Sequence, residues 1–386
     1  MPHPDDGPAR GTTLTNARIV LPDGVRHGDL HIADGKITTS AAGDEIDLAG
    51  RYVVPGFVDM HVHGGAGVSY QRPEDDARRA ASFHLAHGTT TTMAGLVTGD
   101  PRELADAVTR LADLAADGVI TGIHLEGPYL ARDRCGAHDP ALLRAPDPAE
   151  FARLVRLGRG HLRMITIAPE LPGGLDLVRQ AADAGVIAAV GHTEATGATA
   201  RAAFDAGARV ATHLFNAMRP LHHREGGPIA AALNDPRVTV ELINDGVHVE
   251  PAVTRLAFAA APSRVALITD AMAAAGMGDG DYRLGVMDVE VRGGRATLAG
   301  GTSIAGSTIT MADAFRRTVT DTGLPIEDAA RAASLTPARA LGIDARTGSL
   351  EPGKDADLVV LDDDLRVTRV MKQGVIVPRA RILGDN

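Results

Sequence analysis

The segment VVPGFVDMHVHGG, residues 53–65, decides the fold, because its apolar run delivers two histidines one residue apart. Successive side chains of a strand point to opposite faces, so residues i and i+2 share one face. A strand from Tyr52 to Met60 would turn Asp59, His61 and His63 to the same side at its end. The glycines that follow end the strand. Two imidazoles on one face make half of a metal site.

Further short apolar runs follow along the chain, and helical segments rich in Ala, Arg and Leu separate most of them. The predicted strands are Tyr52–His61, Thr89–Val97, Val119–Leu125, Leu162–Ala168, Val186–Val190, Arg209–His213, Thr239–Ile243 and Val265–Thr269. Runs that are apolar throughout suit strands buried on both faces. Eight such strands with crossover helices predict an α/β fold, a (β/α)8 TIM-like barrel. The alternative is a doubly wound open sheet, which the lack of a glycine-rich loop after the first strand disfavours.

Both ends of the chain have a different sequence pattern from the central barrel segment. Residues 1–52 and 346–386 contain short alternating strands broken by Asp-Gly and Pro-Asp-Gly turns, which predict strands and hairpins. We expect the two termini to form one small β-sandwich domain, and residues 53–345 to form the catalytic barrel. A β-hairpin insertion is predicted around residues 281–303, over the barrel mouth.

Composition excludes several classes of function. The 386 residues carry a formal net charge of −10, so nothing favours nucleic acid or an anionic membrane as a partner. There is no run of 18 apolar residues and no basic segment followed by an apolar run at the start, so we expect no membrane span and a cytoplasmic location. The single cysteine, Cys135, excludes an intrachain disulfide, and we interpret it as an incidental loop thiol.

Polar side chains stand at the C-terminal ends of six predicted strands, where barrel active sites lie. These residues are His61 with His63, Glu126, His192, His213 with Asn216, His248 and Asp270. Taken singly, each is more often structural, for example Glu126 or Asp270 as a helix N-cap. Taken together, imidazoles and carboxylates suit zinc, iron or another divalent transition ion, with water in the open position of a catalytic site.

Several motifs of consecutive residues resemble the N-acetylglucosamine-6-phosphate deacetylases of the amidohydrolase superfamily. They are PGFVDMHVHG, HLEGPYL, GAH, GHTEAT, THLFNAM, DGVHV, ITDAM and GSLEPGKDADLVVLD, within a match that runs from about residue 10 to the end. The resemblance implies hydrolysis of the N-acetyl group of N-acetylglucosamine-6-phosphate to acetate and glucosamine-6-phosphate, in amino-sugar catabolism or recycling.

The resemblance also implies a divalent metal cofactor, with one or two ions per chain. Glu126, His192 and His213 would hold one ion, and His61 with His63 would hold a second. Zinc is the first choice, with iron, manganese, cobalt or cadmium as alternatives. Dihydroorotase-like relatives bridge two metals with a carboxylated lysine, but the barrel segment contains no lysine, so Glu126 is the natural bridge.

Catalytic and substrate-binding roles follow from the same resemblance. Asp270 would take a proton from water and give it to the departing amine, and His138 would polarise the acetamide carbonyl or bind a sugar hydroxyl. The other implied substrate contacts are Ala137, Asn216, Ala217, Arg224, His248, Ile304, Ala305, Gly306 and Ser307. Asn216, Ala217, Arg224 and His248 are assigned to the phosphate. In relatives the arginine can come from a neighbouring subunit, which implies a homodimer.

Three other functions remain open at this point. The substrate could be a related N-acetylated sugar, either the galacto epimer or an unphosphorylated form. It could be an N-acyl amino acid, against which Arg224 and the Asn216–Ala217 loop argue, although a carboxylate could occupy the same groups. The chain could be a catalytically silent scaffold, but such a protein would have lost metal ligands, and none is missing.

Overall fold

Eight parallel strands lie in chain order around the centre of the larger domain. The computed structural model describes residues 10–72 and 77–378. The barrel strands are Phe57–Asp59, Thr89–Val97, Gly122–Glu126, Leu162–Ile167, Ile187–Val190, Val210–Ala211, Thr239–Ile243 and Val265–Ile268. Beyond the first and last strands, the N–H of Asp270 donates to the carbonyl of His61 at 2.9 Å, which brings the two sheet edges together. The predicted (β/α)8 barrel is confirmed, and the open sheet is wrong.

Helices cover the outside of the barrel. They span Ala77–Ala86, Pro101–Ala116, Pro148–Gly158, Gly174–Asp183, Gly197–Asp205, Gly227–Asn234, Pro251–Ala260, Met311–Thr320, Ile326–Ala330 and Thr336–Ala340, with a π-helical turn at Arg331–Leu335 and a 3-10 turn at Arg132–Arg134. The carboxylates of Asp100 and Asp147 cap two of them ahead of a first-turn proline, as the sequence indicates. None of the described helices has both the length and the apolar content to cross a membrane.

The decisive first segment forms two strands rather than the single strand predicted. Tyr52–Pro55 belongs to the small domain, where it pairs with Leu358–Leu361, and only Phe57–Asp59 enters the barrel. Gly56 lies between the two strands. It must be a glycine, because a Cβ there would lie 2.2 Å from the hydroxyl oxygen of Thr90. The predicted boundary after residue 52 therefore falls inside a strand of the small sheet.

The small domain is built from both ends of the chain. Its strands are Arg10–Leu21, Gly24–Ala33, Lys36–Thr38, Ala42–Asp47, Tyr52–Pro55, Leu358–Leu361, Val367–Lys372 and Val375–Ile376. The first strand forks, pairing with Ala42–Asp47 along one half and with Tyr52–Pro55 along the other. The branches enclose one apolar core that includes Leu14 and Leu358. Residues 1–9 and 379–386 of the predicted domain lie outside the described residues.

An insertion after the eighth barrel strand reaches the barrel mouth. It is a three-stranded antiparallel sheet of Gly280–Leu284, Met287–Arg292 and Arg295–Leu298. The insertion therefore has one strand more than the predicted hairpin. Its last strand forms a bridge between Thr297 and Ile304. This pairing ties the insertion to the loop that forms one wall of the functional site.

Candidate metal centre

A cavity of about 400 Å³ opens at the C-terminal ends of the barrel strands. Its floor contains five side chains from different strand ends, namely His63, Glu126, His192, His213 and Asp270. All five are at least 90% buried. The convergence follows from the parallel sheet, because parallel strands bring all their carboxyl ends to one rim.

Glu126 lies at the centre of this floor. Its Oε1 atom is 2.9 Å from Nε2 of His213 and 3.1 Å from Nε2 of His192. Its Oε2 atom is 3.2 Å from Nε2 of His63 and 3.3 Å from Nε2 of His138. One carboxylate therefore faces two separate sets of histidines, which is the geometry required of a bridging ligand.

The potential ligands form two groups that share Glu126. One contains His61, His63, Glu126 and Asp270, and the other contains Glu126, His192 and His213. Within them Nε2 of His61 lies 3.2 Å from Nε2 of His63, and the Nε2 atoms of His192 and His213 lie 3.0 Å apart. Donors at the corners of a tetrahedron around a zinc-sized ion with bonds of about 2.0–2.1 Å are about 3.3 Å apart. The residues present fit a divalent ion in either group.

Two ring tautomers leave Nε2 free for a metal. Nδ1 of His192 lies 2.7 Å from the carbonyl oxygen of Arg134, which can only accept, so Nδ1 carries the proton. Nδ1 of His61 lies 3.0 Å from the carboxylate Oε2 of Glu241 and donates in the same way. When such a ring is neutral, as a metal ligand must be, its lone pair is on Nε2, the atom that faces the other potential ligands. Such outer partners are typical of metal-ligating histidines.

Three of the five side chains on the cavity floor belong to residues with strained backbones. His192, His213 and Asp270 have φ values of 48°, 27° and 50°, in the left-handed region that non-glycine residues rarely adopt. Each such residue costs on the order of 1–3 kcal/mol, and these conformations concentrate at functional sites. Here each one stands just beyond the end of a strand and lines the cavity.

The carboxylates of the cluster are ionised at neutral pH. Burial alone would raise the pKa of Glu126, but the positive charge of protonated His61 and the polar contacts with His138, His192 and His213 bring it well below its usual value. Burial opposes ionisation of Asp270 too, but its hydrogen bond with His63 and the charge of His61 lower its pKa. Both groups are therefore in the form that binds a cation.

His138 faces the same cavity with a protonated Nε2, the opposite tautomer from His61 and His192. The backbone N–H of Thr98 lies 3.2 Å from Nδ1 of His138, and because an amide can only donate, Nδ1 accepts. The proton of the neutral ring is therefore on Nε2, 3.3 Å from Glu126. His138 is thus placed as a hydrogen-bond donor toward the cavity, whereas His61 and His192, when neutral, present lone pairs on Nε2.

The structure places most, but not all, of the predicted substrate residues in the cavity wall. Ala137, His138, Asn216, Ala217, His248, Ile304 and Gly306 line it. Ala305 and Ser307 are buried behind it, and the N–H and C=O of Ser307 bond to the backbone of Asp270 and Met272. Arg224 lies outside it, exposed, with its guanidinium 2.7 Å from the ring of His223.

Several cavity residues were not predicted from the sequence. Asp133, Arg134, Leu284, Arg295 and Thr302 also line the wall. Arg134 stands four residues before His138, so proximity to the GAH motif could have indicated it. Arg295 comes from the insertion sheet and had no signal, because only the fold of that sheet brings it to the mouth. Glu241, which is buried beneath the cavity, was also not predicted. Its sequence signal is a carboxylate within the apolar strand TVELI.

A (β/α)8 barrel with a buried imidazole–carboxylate cluster at its strand ends defines a metal-dependent hydrolase of the barrel class. The amidohydrolase family model matches residues 52–377. Together with relatives that match along nearly the whole chain at 34–40% identity, this shows that the chain belongs to the amidohydrolase family, and within it to the N-acetylglucosamine-6-phosphate deacetylases.

The relatives differ in the sugar that they are named for. The N-acetylgalactosamine-6-phosphate deacetylase of Escherichia coli O157:H7 is 40% identical over 89% of this chain and 93% of its own. The N-acetylglucosamine-6-phosphate deacetylase of Bacillus subtilis is 36% identical over 91% of this chain and 93% of its own. The solved N-acetyl-D-glucosamine-6-phosphate deacetylase of Mycobacterium smegmatis, an aspartate-to-alanine variant in complex with that sugar phosphate, is 48% identical, with a TM-score of 0.91, over 96% of this chain and 100% of its own.

Proposed function

We propose that this protein hydrolyses the N-acetyl group of N-acetylglucosamine-6-phosphate, releasing acetate and glucosamine-6-phosphate. The observation that carries the proposal is the shared position of Glu126 between two ligand groups, next to Asp270 in one cavity. Family membership fixes the reaction class as hydrolysis of an amide, and several relatives carry the name of this deacetylase. A role in amino-sugar metabolism is consistent with those relatives.

Glu126, His192 and His213 would hold one divalent ion, and His61 and His63 would hold a second with Glu126 as the bridge. Zinc is our first choice because nitrogen and oxygen donors at tetrahedral separations suit it, with iron, manganese, cobalt and cadmium as alternatives. A bound ion would supply Lewis acidity at the acetamide carbonyl and lower the pKa of coordinated water from 15.7 toward about 7.

Asp270 would transfer the proton. Its ionised carboxylate accepts a proton from the attacking water as the water oxygen bonds to the acetyl carbon. Asp270 then delivers the same proton to the sugar nitrogen as the C–N bond breaks, so that the sugar leaves as an amine. An amine is a poor leaving group unless it is protonated, so one carboxylate acting first as base and then as acid accounts for both steps.

His138 would act on the carbonyl oxygen. Because its Nδ1 accepts from Thr98, its Nε2–H is available as a donor in the cavity. A donor directed at an oxygen that gains negative charge stabilises the transition state more than the substrate. A hydrogen bond to a sugar hydroxyl is the alternative role for the same atom.

The phosphate would bind at the opposite wall, near Asn216, Ala217 and His248. The backbone N–H of Ala217 donates no hydrogen bond within the part of the chain that the structure describes, so it is available to an anion. The ring of His248 is held by Asp245, with Nδ1 2.7 Å from the carboxylate. Since Arg224 lies outside the cavity of its own chain, we propose that it acts on the phosphate bound by a neighbouring subunit, in a homodimer.

The galacto epimer is the second candidate substrate, and a specific observation favours it. The Escherichia coli O157:H7 relative with 40% identity is named for N-acetylgalactosamine-6-phosphate. The two sugars differ only at the 4-hydroxyl, so discrimination rests on one or two polar contacts. Cytoplasmic location stays a prediction.

Acetate release should be measured from four substrates in parallel, with metal counted per chain in the same preparation. The substrates are N-acetylglucosamine-6-phosphate, N-acetylgalactosamine-6-phosphate, unphosphorylated N-acetylglucosamine and an N-acetyl amino acid. We expect the gluco phosphate to be hydrolysed most efficiently, with one or two ions bound. A higher kcat/KM on the galacto phosphate would select the second candidate. Activity confined to the N-acetyl amino acid would overturn both.

A further inference from the structure

Glu241 is a buried carboxylate beneath the metal centre that the proposed reaction does not use. It lies on the seventh barrel strand with a relative exposure of 0%. Its strand neighbours Val240 and Leu242 pack into the core cluster that contains the outer helices, so strand alternation turns Glu241 toward the barrel interior. A carboxylate at such a position costs several kcal/mol of desolvation where an apolar side chain would cost nothing. Its charge therefore calls for a function.

Its contacts supply one. The Oε2 atom of Glu241 lies 3.0 Å from Nδ1 of His61 and accepts a second hydrogen bond from the backbone N–H of His213 at 3.2 Å. The main-chain carbonyl of Glu241 accepts from the N–H of Leu214 at 2.8 Å. The other carboxylate oxygen, Oε1, has no hydrogen-bond partner among the described residues. One side-chain oxygen thus holds a member of each ligand group.

We propose that Glu241 is a positioning residue that sets the geometry and basicity of the metal centre through His61 and His213. Because the carboxylate can only accept a hydrogen bond, it requires the proton of His61 on Nδ1. The lone pair of the neutral ring is then on Nε2, which faces His63 and is free to bind a metal. Its negative charge makes that imidazole a stronger ligand. Its bond to the N–H of His213 holds that residue at the strained φ of 27° from which the ring reaches Glu126.

The two contacts predict unequal effects on the two ligand groups. His61 receives its tautomer and ring orientation from Glu241, whereas His213 receives only a main-chain bond. Loss of the carboxylate should therefore weaken the His61–His63 group more than the His192–His213 group. This inference depends on the metal centre and not on which sugar is hydrolysed.

The test is metal binding by two variants. Glu241→Met removes both hydrogen bonds with little change in volume, and Glu241→Gln keeps the shape and one acceptor while removing the charge. Metal-free proteins are titrated with Co²⁺ under competition from a chelator of known affinity, and visible absorption reports the ligand geometry. We expect Glu241→Met to lower Co²⁺ affinity by about 10–100-fold, the usual cost of removing an outer partner of a metal ligand. The Co²⁺ affinity of Glu241→Gln should lie between those of Glu241→Met and the wild type.

Thermal unfolding of the metal-free proteins separates positioning from general stability. Glu150→Gln is the matched control, because Glu150 bonds to Tyr129 and Arg144 away from the cavity and should leave Co²⁺ affinity unchanged. Wild-type affinity and an unaltered Co²⁺ spectrum in Glu241→Gln would overturn the proposal, even if Glu241→Met fails to fold. A wild-type protein that binds no Co²⁺ would instead overturn the metal centre itself.

Discussion

Oδ1 of Asp270 lies 3.1 Å from Nε2 of His63, although the two residues follow the last and the first barrel strands respectively. This contact forms where the barrel closes, and it puts the proposed proton carrier against one potential ligand of the metal centre. Asp270 is therefore held ionised by its surroundings, since the bond with His63 and the charge of His61 lower its pKa against the effect of burial. Its role can be tested separately from metal binding.

Replacing Asp270 by asparagine should abolish the chemical step and leave substrate binding intact. Asparagine keeps the shape and one acceptor but cannot carry a proton, so we expect kcat to fall by about 10²–10⁴-fold, the usual contribution of a general acid–base group. Steady-state kinetics and metal analysis check this. Asp183→Asn, on an exposed helix end, is the control, and near-normal kcat in Asp270→Asn would contradict the assignment.

Removing the shared ligand should empty both halves of the metal centre. Glu126→Gln replaces a carboxylate that faces both groups by an amide, which is a poorer metal ligand and carries no charge. We expect metal content per chain to fall toward zero, whereas His61→Asn should affect only the group that contains His61. Elemental analysis after dialysis measures both variants. Full metal content in Glu126→Gln would show that this carboxylate is not the bridge.

His84 should make the stability of the protein depend on pH. Burial lowers its pKa from 6.5 to about 4, outweighing the favourable hydrogen bond to the carbonyl of Gly64. The unfolded chain therefore takes up a proton below pH 6.5 that the folded protein does not take up until about pH 4. Above pH 6.5 His84 is neutral in both states and does not affect the free energy of unfolding. As pH falls from 6.5 to about 4, protonation of the unfolded chain lowers the free energy of unfolding by about 3 kcal/mol.

Urea unfolding of the wild type and of His84→Gln between pH 4 and 7 tests this. Glutamine can still donate to Gly64 but does not titrate, so the variant should lose stability less steeply on acidification. His27→Gln, at an exposed position, should keep the wild-type slope. Identical slopes for all three proteins would mean that His84 does not set this dependence.

Arg224→Ala should cost activity on the phosphorylated sugar but not on free N-acetylglucosamine. A hydrogen bond to a charged group contributes about 1.5–3 kcal/mol, which corresponds to a loss of about 10–100-fold in kcat/KM. Kinetics on both sugars measure the difference, and Arg255→Ala, on an exposed helix position, is the control. Equal losses on the two sugars would mean that Arg224 does not bind the phosphate.

Mixed dimers can establish whether Arg224 acts across subunits. When Asp270→Asn and Arg224→Ala chains are mixed and reassembled, each heterodimer contains one site with Asp270 from one chain and Arg224 from the other. Random association should restore about a quarter of wild-type activity. No recovery, with heterodimers demonstrated by mass, would place the arginine in its own chain or outside the reaction.

Much of the fold could be predicted from local sequence. Strands such as Val265–Ile268 are apolar and buried at every position, and continuous apolar runs indicate such burial directly. The split of the first segment could not be predicted, because Tyr52–Pro55 and Phe57–Asp59 form one apolar run. Only the pairing of Tyr52–Pro55 with Leu358–Leu361, from the far end of the chain, assigns it to another sheet. The third strand of the insertion was missed for a similar reason, since short exposed strands have weak patterns.

The sequence by itself determined the ligand chemistry, because the residue types at the strand ends and the absence of lysine from the barrel are local facts. Only the tertiary structure decided how those residues act together. It placed Glu126 within reach of both groups of potential ligands, put Glu241 behind His61, and set Arg224 outside its own cavity. These relationships join residues that are distant in the chain, and closure of the barrel, not spacing along one strand, brings their atoms within bonding distance.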